Sequence, residues 1–151
     1  MRSKRTTFLL VLSGLLFSTW SFAQQKDSVA YSGDDLHYLG YVMLTGDTSA
    51  WANMKNDDIY FFSKAMFFRT PNVLKYLKSD DLYFLGTAWI YGSKAELDKI
   101  ATDDLYYLGM AIFEKQESYL DNIRSDDVYY LGKGLIKKDM NYFDQMSTKL
   151  E

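Results

Sequence analysis

Paired aspartates occur five times in this chain, at Asp34-Asp35, Asp57-Asp58, Asp80-Asp81, Asp103-Asp104 and Asp126-Asp127. Carboxylates at that density suggest two kinds of chemistry. A row of them could bind Ca2+, which takes six to eight oxygen ligands. Two acids facing each other across a pocket could hydrolyse a glycosidic bond. The pattern fits neither well. No unit reads Asp-x-Asp-x-Asp with a glycine-bent loop, as a calcium loop would. A hydrolase needs two acids in different surroundings, and here the acids recur identically. His37 is the single histidine, cysteine is absent, and no glycine-rich phosphate loop is present. We therefore expect no enzyme, no catalytic residue, no cofactor and no metal site, with a carboxylate hydrolase kept as the enzymatic alternative.

The aspartate pairs mark a repeat. Their spacing is 23 residues every time, without insertion. Numbered from the first aspartate, position 3 reads Leu36, Ile59, Leu82, Leu105 and Val128. Position 6 reads Leu39, Phe62, Leu85, Leu108 and Leu131, and position 10 reads Met43, Met66, Trp89, Ile112 and Leu135. These apolar residues follow the i, i+3, i+7 rhythm of one helix face. A second apolar pair, positions 18 and 21, includes Leu74 with Leu77 and Leu97 with Ile100. Its spacing predicts a second helix of about two turns.

The boundaries agree with this reading. Gly33, Asn56, Ser79, Thr102 and Ser125 precede the aspartate pairs, and all are favoured N-caps. The aspartates then fall in the first turn, where the helix dipole favours negative charge. A second start appears at Asp47, Thr70, Ser93, Gln116 and Asp139, with Thr70-Pro71 as cap and first residue and Ser93 to Glu96 as a capping box. Leucine-rich repeats can share the period but need an asparagine ladder that is missing here. A glycine-rich hairpin repeat needs more than the nine glycines present. The expected fold is all-α: a short right-handed α-solenoid of five 23-residue helix-turn-helix repeats over 32–146, followed by a tail at 147–151.

The stretch Leu105-Tyr106-Tyr107-Leu108-Gly109-Met110-Ala111 resembles the first helix of tetratricopeptide and Sel1-like repeats. Those families also place a large residue, Leu-Gly and a small residue in this order. The resemblance implies an α-solenoid that holds other proteins. It covers about ten residues per unit, and the 23-residue period is shorter than the family's 34 or more.

Outside the repeats, residues 1–23 read as a signal peptide. Arg2, Lys4 and Arg5 are followed by an apolar run over 8–17 and by Ser21-Phe22-Ala23, a small-x-small cleavage site. Residues 24–31 then form a short leader. The expected location is secreted or periplasmic. Removing the signal takes three basic residues with it and moves the net charge from -3 to -6, leaving 14 basic against 20 acidic residues. That balance argues against nucleic acid or an anionic membrane as partner.

The expected role is a protein-protein interaction module in the cell envelope. Partner contacts are expected on the outward face of the first helix in each unit. Positions 8 and 12 vary there in size, charge and polarity, while positions 3, 6, 7 and 18 barely change. The candidates are Tyr41, Lys64, Phe68, Thr87, Tyr91, Met110, Glu114, Lys133 and Lys137, with Thr45 completing the register. The alternative is a glycan- or peptide-binding protein. It would use the aromatic ladder at positions 4 and 5: His37-Tyr38, Tyr60-Phe61, Tyr83-Phe84, Tyr106-Tyr107 and Tyr129-Tyr130. Rings at helical spacing also serve as packing between repeats.

Overall fold

The computed structural model describes residues 31–147; the expected signal peptide and most of the expected leader lie outside the described residues, as does the tail from 148. All regular structure among the described residues is helical. Five long helices recur at the repeat spacing: α1 (Gly33–Thr45), α2 (Asp57–Phe68), α3 (Asp80–Tyr91), α5 (Asp103–Glu114) and α6 (Asp126–Lys137). The second element of each unit is shorter and tighter than expected. It is a 3-10 helix in four units, Thr48–Asn53, Pro71–Tyr76, Glu117–Asn122 and Met140–Gln145, and the four-residue α4 (Lys94–Leu97) in the third.

Capping follows the sequence in most units. Asn56, Ser79 and Ser125 accept the backbone N–H three residues on. In the first unit the helix begins one residue early, so Ser32 is the cap and Gly33 lies inside α1. Ser93 makes no side-chain cap bond, so the expected capping box does not form. Glu96 pairs with Lys99 instead. Each long helix ends on a left-handed residue at position 13: Gly46, Arg69, Gly92, Lys115 and Lys138. Glycine takes that conformation freely, whereas the three cationic residues adopt it against their preference.

The long helices pack side by side in sequence order, and α1 also packs against α6. The array therefore returns to its start. A solenoid with free ends would leave its first and last helices apart. The seams show why the closure works. At position 7, Gly86, Gly109 and Gly132 each face the position-18 leucine of the preceding unit, Leu74, Leu97 and Leu120. A Cβ on any of the three glycines would approach a leucine methyl within 2.6–2.7 Å, so only glycine admits the leucine this closely. Gly40 of the first unit makes the same contact with Phe143 of the fifth, at 2.6 Å. Gly134 in α6 accommodates the larger ring, because a Cβ there would collide with the Phe143 ring. The seam between the first two units is built from another pair: the Trp51 indole N–H donates to Ser63 Oγ at 2.9 Å.

Three seams thus share the leucine–glycine contact, the closing seam sets Phe143 on Gly40, and the first seam uses Trp51 and Ser63. Positions 3 and 6 of all five units line one shared interior space, joined by Met43, Trp89 and Leu135 from position 10. The space left there is about 10 Å³, room for roughly one water and no ligand. Tyr31, the last residue of the expected leader, packs against this core, and its hydroxyl donates to Ser79 Oγ at 3.3 Å. Burial pushes its phenol pKa up.

Substituting Gly109→Leu should lower stability by about 1–3 kcal/mol, the usual range for overpacking. Leu97 and Leu85 both stand within 2.9 Å of the new Cβ. Chemical denaturation measures it, and an unchanged midpoint would place the seam elsewhere.

Candidate functional site

The aspartates divide into two classes by position. The first of each pair is exposed in four units and half-buried at Asp34. The second reaches across to the end of its own unit, where the chain enters the next helix. Asp58 accepts from the Lys78 and Ser79 backbone N–H groups at 2.9 and 3.0 Å. Asp104 accepts from Arg124 and Ser125 at 2.8 and 3.1 Å. Asp35 and Asp81 do the same one unit away in each direction, Asp81 also taking the Thr102 hydroxyl. Asp127 accepts from Ser147 at 2.7 Å, which holds the last described residue at the closing seam. The second aspartate is therefore a tie on the return segment as well as a first-turn charge. Its sequence signal was its invariance: the caps vary between units, while both aspartates never do.

His37 belongs to the same seam. Its Nδ1 lies 3.2 Å from the Phe143 carbonyl oxygen, and its ring meets Phe143 edge-on at 6.3 Å. The other four units carry tyrosine at this position. Histidine falls where the first unit receives the fifth.

The ladder at positions 4 and 5 is mostly half-buried, with Tyr83 the one exposed member. Within each unit the two rings meet edge to face, as in Tyr106 with Tyr107 at 5.3 Å and Tyr129 with Tyr130 at 5.4 Å. Edge-to-face pairs of this kind are a packing geometry.

The outward register is less uniform than a helical wheel implies. Phe68 is 59% exposed and Tyr91 63%. Thr45 and Lys137 are exposed, while Tyr41, Lys64, Thr87, Glu114 and Lys133 are half-buried. Met110 is a correction, being only 3% exposed; its flexible apolar chain folds into the core. Several of the polar members are already occupied. Glu117 binds both Lys133 and Lys137, and those two hydrogen bonds, Lys133 first, hold its carboxyl below the usual range. Glu114 takes Lys94 at 2.7 Å, and Tyr41 reaches Asp47 at 3.4 Å. The Thr87 hydroxyl donates back to the Tyr83 carbonyl at 2.8 Å.

One aromatic group escaped the sequence reading. Trp51 lies among Tyr60, Phe67 and Phe68, with ring centres 6.4, 5.5 and 5.8 Å away. The Lys64 ammonium sits over Trp51 at 5.3 Å and over Tyr60 at 4.2 Å. Among the described residues, no group of three or more His, Cys, Asp or Glu side chains converges to hold a metal ion. No helix of the described residues is long and apolar enough to cross a membrane. Comparison of the chain with protein-family models, curated proteins and solved structures found no match.

Proposed function

We propose that this chain is a secreted or periplasmic, non-catalytic interaction module. Its five repeats, read as a right-handed solenoid that returns to its start, present the C-terminal ends of the long helices to a protein partner in the cell envelope. One observation carries the reading: two large rings at the same register position, Phe68 and Tyr91, point into solvent, while the rings at other positions are mostly half-buried or buried. Large exposed apolar groups on a regular frame suit binding anchors, and aromatic anchors often dominate an interface. Protein holding, which the tetratricopeptide and Sel1-like resemblance implies, agrees with this. The non-catalytic part rests on the aspartates, which recur in register and whose second members are engaged by backbone N–H groups.

The test is a pull-down from envelope extract with the unsubstituted protein and with Phe68→Ala combined with Tyr91→Ala. The double variant should lose the partner by about tenfold or more while keeping its melting temperature, since both side chains are exposed. Retained capture would discard this face, and capture of nothing by the unsubstituted protein would discard the module.

A further inference from the structure

Because the units solve one packing problem five times, each acts as an internal control for the others. The second unit departs furthest from the common solution. Three seams join leucine to glycine, whereas the seam entering this unit joins Trp51 to Ser63. Position 11 is half-buried in the other four units but exposed at Phe67. Three of the five exposed large apolar side chains, Phe67, Phe68 and Tyr76, belong to this one unit. Packing does not require the departure, since leucine and glycine suffice elsewhere.

Charge departs in the same place. Residues 57–79 carry Lys64, Arg69, Lys75 and Lys78 against Asp57 and Asp58, a net of +2. Every other unit is net negative, and the whole chain stands at -3. Of the four cations only Lys78 meets a carboxylate, Asp57, at 3.7 Å. Lys64 and Lys75 lie over aromatic rings, and Arg69 caps α2 on an exposed left-handed residue. Elsewhere the lysines of the outward register are neutralised: Lys133 and Lys137 by Glu117.

We infer that the face formed by Lys64, Phe67, Phe68 and Arg69, beside Trp51, docks an acidic polypeptide segment bearing an apolar side chain. The inference rests on the interaction-module reading and narrows it to one unit and one partner chemistry. The cations left without carboxylates supply the charge complementarity, and the exposed phenyl rings supply the apolar anchor. An extended polyanion, such as nucleic acid or an anionic bilayer, would also meet the surrounding net-negative units and be repelled by them. A short acidic segment needs only the local patch.

The experiment pans random dodecapeptides displayed on phage against protein purified from cells expressing the full chain. Recovered sequences should be rich in Asp and Glu with at least one large apolar residue. A synthetic peptide of that sequence should bind about tenfold or more weakly to Lys64→Glu combined with Arg69→Glu, and to Phe68→Ser. Lys115→Glu combined with Lys138→Glu, a matched reversal in other units, should leave binding within about twofold. Far-UV circular dichroism confirms that each variant is folded. Recovery of neutral or basic peptides would overturn the inference. So would equal binding by the Lys64 and Arg69 reversal, or retention on phosphatidylglycerol vesicles without acidic-peptide enrichment. The envelope pull-down with unsubstituted protein decides the broader reading separately: capture there, with no acidic peptide recovered here, removes this inference alone.

Discussion

Phe143→Ala is expected to destabilise the protein by about 3–5 kcal/mol, the range for truncating a buried phenylalanine. Phe143 has no exposed surface. Its ring fills the notch between Gly40 of α1 and Gly134 of α6, where no Cβ fits. Truncation removes the ring and leaves those glycines facing a void, because neither carries a side chain that could relax into it. The loss falls on the seam that joins the two ends of the array, so it should cost cooperativity as well. Leu97→Ala, at the equivalent position of an internal seam, provides the comparison. Chain connectivity still holds the third and fourth units together there, so its denaturation should remain a single sharp transition. A Phe143→Ala protein with an unchanged denaturation midpoint would show that the closing seam contributes nothing.

The second large effect concerns the repeated aspartates. Asp104→Ala should lower stability by about 1.5–3 kcal/mol, because two backbone N–H groups lose a charged acceptor. Asp104→Asn should lose less, since one amide oxygen still accepts. Asp103→Ala, one residue earlier and exposed, should lose under about 1 kcal/mol, the first-turn dipole contribution alone. The contrast between neighbouring, chemically identical residues separates the tie from general helix-start electrostatics. Urea denaturation of the three variants measures it, and equal losses for Asp103→Ala and Asp104→Ala would remove the tie.

Much of this molecule was legible in its residues. The stripe at positions 3, 6 and 10 identified the core helices, and its members from all five units do pack in or against one core cluster. The aspartate pairs marked the helix starts to within a residue. The second helix was misjudged in kind because positions 18 and 21 fit either helical geometry. Length explains the outcome. A segment of about six residues must return along a helix of twelve, and a 3-10 helix rises about 2.0 Å per residue against 1.5 Å for an α-helix. Closure was not legible either, since periodicity identifies a repeat but not the rotation between neighbours. Its trace was present as a compensating pair: phenylalanine replaces leucine at position 143 in the same unit that replaces alanine with glycine at 134. For the binding face, the helical wheel grouped positions 8 and 12, yet position 8 is half-buried or, at Met110, buried, while position 12 carries the exposed Phe68 and Tyr91.

The central claim is that the fifth unit packs on the first as each unit packs on its neighbour. Nuclear Overhauser contacts test it within one spectrum. The account predicts cross-peaks from the Gly40 Hα protons to the Phe143 ring, equal in rank to those from Gly86 to the Leu74 methyls and from Gly109 to the Leu97 methyls. Internal cross-peaks without any contact between residues 33–45 and 126–147 would contradict it, and would make the molecule an array with two free ends.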